Sequence, residues 1–442
     1  MFDGLFKDPD IEALFTDRAL IQAMLRFEAA LALAQADTGR IPSEIANVIA
    51  HVCDNAEIDS RKILTAARQA GNPAIPLVKE LTALVRGIDV QAARYVHAGA
   101  TSQDVIDSAI MLQLRIALAA IDTELTRLQG RLAELVHEHR ETPIIGRTLL
   151  QQARPISLAF KLAGWLDQLI RSRATLRRVR KDVVVLQFGG AVGTLAASGT
   201  EALRILTRLA ERLQLGEPAM AWHTARDRFF EIASALTMLS GSLGKLATDS
   251  ALLMQTEIGE LAETAEEGRG GSSAMPHKRN PVAPTLIIAA SCRMPGLLAT
   301  IPASMIQEQE RAVGRCHAEW ALLAEMVCLT GGAVKQALGL MLRLKIDVAR
   351  MRENIELTRG LIYAEDVASA LAIHLGKTEA DQTVRLACER AAEKKMHLRE
   401  ILVSDSTVTK WLDQTTLDRI FRPENALGAA DALIDRVLRS ND

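Results

Sequence analysis

At 442 residues the chain exceeds what one hydrophobic core ordinarily organises, so two or three domains are expected. Its composition, 49% hydrophobic and 24% charged, is that of a globular protein and excludes a disordered one. A formal net charge of −2 gives no general attraction for nucleic acid or an acidic membrane, so individual basic loops must carry any anion recognition.

The first stretch, 1–105, has short elements broken at Gly39, Pro42, Gly71, Pro73, Pro76 and Gly87 and is expected to form a small helical domain. It ends on Arg94-Tyr95-Val96-His97-Ala98-Gly99-Ala100-Thr101-Ser102-Gln103-Asp104. Thr101 with Asp104 three residues on reads as a capping box. The same hydroxyls and free N–H groups of Thr101 and Ser102 suit a bound carboxylate, and His97 can donate a proton near neutral pH or simply pack.

Ala100 to Gln129 contains neither Gly nor Pro, which allows a helix of roughly 45 Å, with Ile106, Ile110, Leu114 and Leu118 forming one buried stripe. His137-Glu138-His139 has a spacing that points its imidazoles to different sides of a helix, so it reads as solvated surface rather than metal. Gly146-Arg147-Thr148-Leu149-Leu150-Gln151-Gln152-Ala153-Arg154-Pro155 offers two guanidiniums, suited to bidentate carboxylate binding or to the surface.

Helical patterns follow over Pro155 to Phe188, Thr200 to Leu215 and Ala219 to Glu257. Between them Gln187-Phe188-Gly189-Gly190-Ala191-Val192-Gly193-Thr194 reads as a tight interhelical loop, since no strand precedes it. Gly270 to Pro281 is the most informative stretch: glycines, two serines, Lys278, then Asn280-Pro281 as N-cap and first helical residue. Small, hydroxyl and cationic groups converge there, at a helix N-terminus where an anion can lie.

Further helices are expected from Val282 past Cys292 and over Arg315 to Arg359. Gln307-Glu308-Gln309-Glu310-Arg311 and His317-Ala318-Glu319-Trp320 lie beside them, lining a cleft or facing water. The expected organisation is all-α, with a long central bundle over 106–345 and a small helical domain over 346–442. Aromatics at 3%, with Ala and Leu supplying most apolar residues, also favour helix. The five cysteines form no C-x-x-C pair and fit a reducing cytosol. No secretory signal pattern opens the chain and no uninterrupted apolar run reaches membrane-spanning length, so a soluble protein is expected.

From Gly271 to Pro281 the chain resembles, at every fixed position, the G-S-S-x-M-P-x-K-x-N-P signature of the fumarase/aspartase superfamily. The T-S-Q-D segment at Thr101 and the G-R-T segment at Gly146 resemble its other two active-site regions, in the right order. The resemblance implies an all-α, three-domain subunit and a homotetramer whose active sites combine three regions from three subunits. It implies no metal and no organic cofactor, a small polycarboxylate substrate, and neither nucleic acid nor membrane as partner.

Adenylosuccinate lyase-like members carry histidine where this chain has Leu149, which puts release of an amine and fumarate in doubt. Gly71-Asn72-Pro73, Trp222-His223-Thr224, Arg226-Asp227-Arg228 and His317-Ala318-Glu319-Trp320 resemble instead a cycloisomerase branch, in which the substrate's own carboxylate is the nucleophile. By that resemblance Ser272, assisted by Ser273, transfers the proton, and His97 is the competing donor. The expected substrate contacts are Thr101, Ser102, Gln103, Arg147, Thr148, Gln151, Gln255, Met275, Lys278, Asn280 and Arg311. A fumarate-releasing lyase and a non-catalytic paralogue are the rival readings.

Overall fold

The computed structural model describes residues 3–264, 270–271 and 274–441. The fold is all-α with two short antiparallel strand pairs, and its chain forms two compact units. Unit 1 comprises Met1–Thr126, Arg171–Gly244 and Leu286–Gln336; unit 2 comprises Arg127–Ile170, Lys245–Thr285 and Ala337–Asp442.

In unit 1 the helix Asp17–Asp37, capped by Thr16 Oγ1 on the Ala19 N–H, lies against Ser43–Asn55 and Ala202–Leu213. It buries Met24, Phe27, Leu31 and Ala34 at helical spacing, each large apolar side chain contributing about 1.5–3 kcal/mol. The long helix runs Ser102–Glu138, and its Ile106, Ile110, Leu114 and Leu118 are buried as the periodicity predicts. The stripe understates its burial. Every residue from Gln103 to Leu114 is buried, including Asp104, Asp107, Ser108 and Gln113, so its polar groups must be satisfied from inside the protein.

In unit 2 the expected helix from Pro155 starts only at Leu158, because Gln151–Ser157 pairs antiparallel with Pro143–Thr148. A bulge breaks the register between Ile145 and Arg147, where Ala153 and Arg154 together oppose Gly146. A Cβ there would lie 2.8 Å from the Arg154 carbonyl oxygen, which explains the glycine. The expected helix over Arg315 to Arg359 is likewise divided into Arg315–Leu342 and Val348–Glu356. Between them Leu344–Ile346 pairs with Leu261–Glu263. Such long-range pairing leaves no local periodicity to read.

Among the described residues three helices are long and apolar enough to cross a membrane by length and composition: Asp17–Asp37, Val282–Ser304 and Arg315–Leu342. Their low charge makes them apolar as a class, although none is an uninterrupted apolar run. His137 is exposed as expected, but His139 is half-buried and bonds Thr142 Oγ1 at 3.1 Å. Burial pushes its imidazole pKa down.

The hairpin tip is Leu149-Leu150, with φ of 51° and 64° and exposures of 96% and 70%. Two left-handed residues suit a tight hairpin turn, but Asn-Gly adopts that geometry with far less strain. Replacing Leu149-Leu150 by Asn-Gly should therefore raise stability by about 1 kcal/mol, read as a higher apparent unfolding midpoint in a thermal melt. An unchanged or lower midpoint would show that the turn is not strained.

Candidate active site

Unit 1 brings together His97, Thr101, Ser102, Gln103 and Arg311, all within its own stretches. At its centre is the Asp104 carboxylate, fully buried. Its Oδ1 accepts from the Gly189 N–H at 3.0 Å and His223 Nε2 at 2.7 Å. Its Oδ2 accepts from the Gly190 N–H at 2.9 Å and the Thr101 N–H at 3.0 Å. The last bond is the reciprocal arm of the expected capping box. The glycine-rich loop is thus an anion nest, but for the protein's own carboxylate. Gly190 has φ 70°, and a Cβ there would lie 2.8 Å from the Gly99 carbonyl oxygen.

Arg311 closes the other side. One guanidinium nitrogen donates to Thr101 Oγ1 at 2.6 Å and another to the Ala191 carbonyl at 2.9 Å. Gln103 Nε2 donates to Asp107 at 3.1 Å and to the His223 carbonyl at 2.7 Å. These groups, expected to touch substrate, spend their donors within the unit. Ser102 is the first residue of its helix and half-buried. His97 has φ 60° and its Nδ1 lies 2.6 Å from Glu28 Oε1.

One turn further along the long helix, Asp107 receives Arg226 at 2.7 and 3.0 Å. Arg226 is fully buried and also binds Glu319 at 2.7 Å, with the Trp222 and Phe229 rings against its guanidinium. Ser304 and Gln307 satisfy the other Glu319 oxygen at 2.9 and 3.2 Å. Burial pushes the Glu319 pKa up against the opposing pull of Arg226.

Unit 2 holds Arg147, Thr148, Gln151, Gln255, Met275, Lys278 and Asn280. Arg147 makes a two-pronged bond to the buried Glu260 at 2.8 and 2.9 Å, so its fork is occupied by the protein. Asn354 Nδ2 adds a third donor to Glu260 at 2.8 Å, while Gln152 Nε2 binds the Asn354 carbonyl at 2.9 Å. Thr148, Gln151 and Gln255 are exposed.

Ser272 and Ser273 lie outside the described residues. Around them, the Asn280 N–H donates to the Gly270 carbonyl at 2.8 Å, closing the base of the signature loop. The Lys278 N–H bonds the Met275 carbonyl at 3.1 Å, forming a turn with Pro276 second. Lys278 is exposed, and its ammonium has no ion pair among the described residues. A cleft beside the loop is lined by Glu263, Thr264, Gly270, Arg279, Asn280 and Pro281.

The following helix starts at Val282, with the Pro281 carbonyl accepting its first bond. Asn280 is therefore not its cap, contrary to the sequence reading. Its side chain turns back to the Gly271 carbonyl at 3.4 Å, and Glu263 Oε1 caps the Ala283 N–H at 2.9 Å. Sequence reasoning missed Glu28, Glu260 and Glu263, none of which lies in a recognisable pattern. It treated Asp104 as a capping residue within the T-S-Q-D segment and His223 only as part of a resembling segment.

Residues 6–296 match the family described as "Lyase", and 360–437 match "Adenylosuccinate lyase C-terminus". A Pseudomonas aeruginosa protein named 3-carboxy-cis,cis-muconate cycloisomerase is 48% identical over 99% of this chain and 95% of its own length. A Bradyrhizobium diazoefficiens protein of the same name is 47% identical over 97% of this chain and 95% of its own. The crystal structure of 3-carboxy-cis,cis-muconate lactonizing enzyme from Pseudomonas putida superposes with a TM-score of 0.95. It is 43% identical and covers 100% of this chain and 98% of that one.

Asp104 uses both oxygens as acceptors, so an amide there must present N–H groups toward other N–H donors. Asp104→Asn should cost about 3 kcal/mol, measured by urea unfolding. Wild-type stability in this variant would contradict the nest.

Proposed function

The chain belongs to this lyase family, the fumarase/aspartase superfamily, and we propose that it interconverts 3-carboxy-cis,cis-muconate and a carboxymuconolactone. One substrate carboxylate adds across a double bond and closes a five-membered lactone. That carboxylate has an ordinary pKa of about 4, so it is already ionised at neutral pH and needs no base. The observation that carries the reading is Leu149. At the position where a fumarate-releasing relative resembling adenylosuccinate lyase has histidine, an aliphatic side chain caps an exposed turn and has no proton to exchange.

As the C–O bond forms, the displaced π electrons move onto the conjugated carboxylate, giving an aci-carboxylate with added negative charge. Lys278 and N–H groups of the signature loop stabilise it, a preorganised electrostatic contribution. Ser272, with Ser273 assisting, then delivers a proton to carbon, and water restores that proton. A serine hydroxyl does this only where its anion is stabilised, which the adjacent cation favours. No step requires a metal or organic cofactor.

We propose further that the protein is a cytosolic homotetramer with shared active sites. Val282–Ser304 supports this: only 22% of its most apolar window is buried within the subunit. Cys292, Gly296, Ala299 and Ala303 lie exposed along it at helical spacing, a small-residue face that permits close helix–helix approach. Ala299→Glu should dissociate the tetramer, seen by analytical ultracentrifugation, and abolish turnover with it.

Lactonisation breaks the conjugated diene, so ultraviolet absorbance of the substrate should fall on adding enzyme. Ser272→Ala should remove nearly all turnover, and Lys278→Met should lower kcat roughly 10²–10³-fold. Full activity of either variant rejects its role. Fumarate released from adenylosuccinate would reject the cycloisomerase reading itself.

A further inference from the structure

Glu28 stands on the helix Asp17–Asp37 with its side chain only 1% exposed. One oxygen lies 2.6 Å from His97 Nδ1, and the other has no hydrogen-bond partner among the described residues. Burying a carboxylate so incompletely satisfied is costly, which makes its one strong contact the reason for its presence. Seven residues on, Gln35 Nε2 donates to the Ala98 carbonyl at 2.7 Å, so two side chains of one helix face grip adjacent residues. Between them His97 is held at φ 60°, a strained backbone for a residue with a Cβ.

The ring's chemistry follows from these contacts. Nδ1 faces a carboxylate and therefore carries hydrogen, whereas Nε2 has no partner among the described residues and the side chain is 18% exposed. Resting on the cycloisomerase reading above, we propose that Glu28 is the positioning residue for His97. It accepts from Nδ1–H, orienting the ring, and favours the doubly protonated cation, so that Nε2–H donates to a carboxylate of the polycarboxylate substrate. The cation adds charge-assisted binding of an anion that carries three carboxylates.

Other ionisable groups around the pair are accounted for. Burial alone pushes the His97 pKa down, but the charge and hydrogen bond of Glu28, with a smaller effect of Asp104, bring the net direction up. Asp104 is saturated by four donors, including His223. Cys53, from the neighbouring helix Ser43–Asn55, is kept a neutral thiol by burial and by Glu28. Arg311 is engaged on Thr101. Because the folded value lies above the ordinary imidazole value, the cation persists to higher pH than in a free imidazole and is lost as pH rises past the folded value.

The test replaces the charge while keeping the shape. In histidine-labelled protein the His97 signal, identified by its loss in His97→Gln, should titrate above the reference value near 6.5. In Glu28→Gln it should fall back to or below that value, and the alkaline limb of kcat/KM should move to lower pH by the same amount. KM should rise about tenfold with kcat changed much less, since binding rather than chemistry is lost. Glu28→Asp should restore most of the limb.

An unmoved His97 titration in Glu28→Gln overturns the assignment. A moved titration with an unmoved alkaline limb overturns the role toward substrate. If Glu28→Gln does not fold, the wild-type titration decides, and a value at or below 6.5 refutes the cationic ring. A wild-type enzyme with no turnover on a tricarboxylate diene sinks the activity reading and the substrate role, while the titration still decides the pairing.

Discussion

The buried Asp104 carboxylate is the constraint around which unit 1 is built. An anion without water is tolerable only if donors surround it, and an uncompensated one costs several kcal/mol. The donors come from three stretches far apart in sequence, at Thr101, at Gly189 with Gly190, and at His223. Their paths are therefore tied to one another. The glycines are part of the same constraint, since a Cβ on Gly189 would lie 2.5 Å from that of Ala221. Because Gly190 packs directly on Gly99, the loop from His97 to Thr101 inherits its course from the carboxylate behind it.

Asp107 repeats the arrangement one turn along, and this explains why charge is placed in the interior at all. A helix buried on every side can rotate about its axis with little change in buried apolar area. Directional bonds from Arg226 to Asp107, from Gln103 to the His223 carbonyl, and between Gln187 and Ser108 remove that freedom. Ion pairs of this kind add modestly to net stability but are costly to break. Their effect here is to fix the rotation of Ser102–Glu138, and so to set where Thr101 and Ser102 emerge at its start.

Legibility in the sequence followed the range of the interactions. Long helices were readable because their apolar repeats are local, as at Ile106 to Leu118. The hairpin of Pro143–Ser157 was not, because its turn is Leu-Leu rather than a recognised hairpin pair. The signature loop, the T-S-Q-D segment and the G-R-T segment were legible as candidate sites. What their side chains touch was not. Arg147 reads as a free carboxylate fork until Glu260, more than a hundred residues away, is found in it. The glycines at 189 and 190 read as a turn until Asp104 supplies an anion for them.

The signature loop poses a question of competing charges that the helix N-terminus alone does not answer. The macrodipole places about half a positive charge at the start of Val282–Ser304. Glu263 already lies there on the Ala283 N–H, with a full negative charge when ionised. A substrate carboxylate approaching that end would find this N–H already occupied, so the dipole cannot be its main source of binding. Lys278 differs on both counts: it carries a whole charge and has no acidic partner among the described residues. It also stands on a turn closed by its own N–H on the Met275 carbonyl, within a loop whose base is clamped by Asn280, so its backbone is positioned before any ligand arrives. In the proposed lactonisation the developing charge on the aci-carboxylate would thus be met chiefly by this side chain. Glu263 serves the helix instead, leaving Lys278 to the ligand.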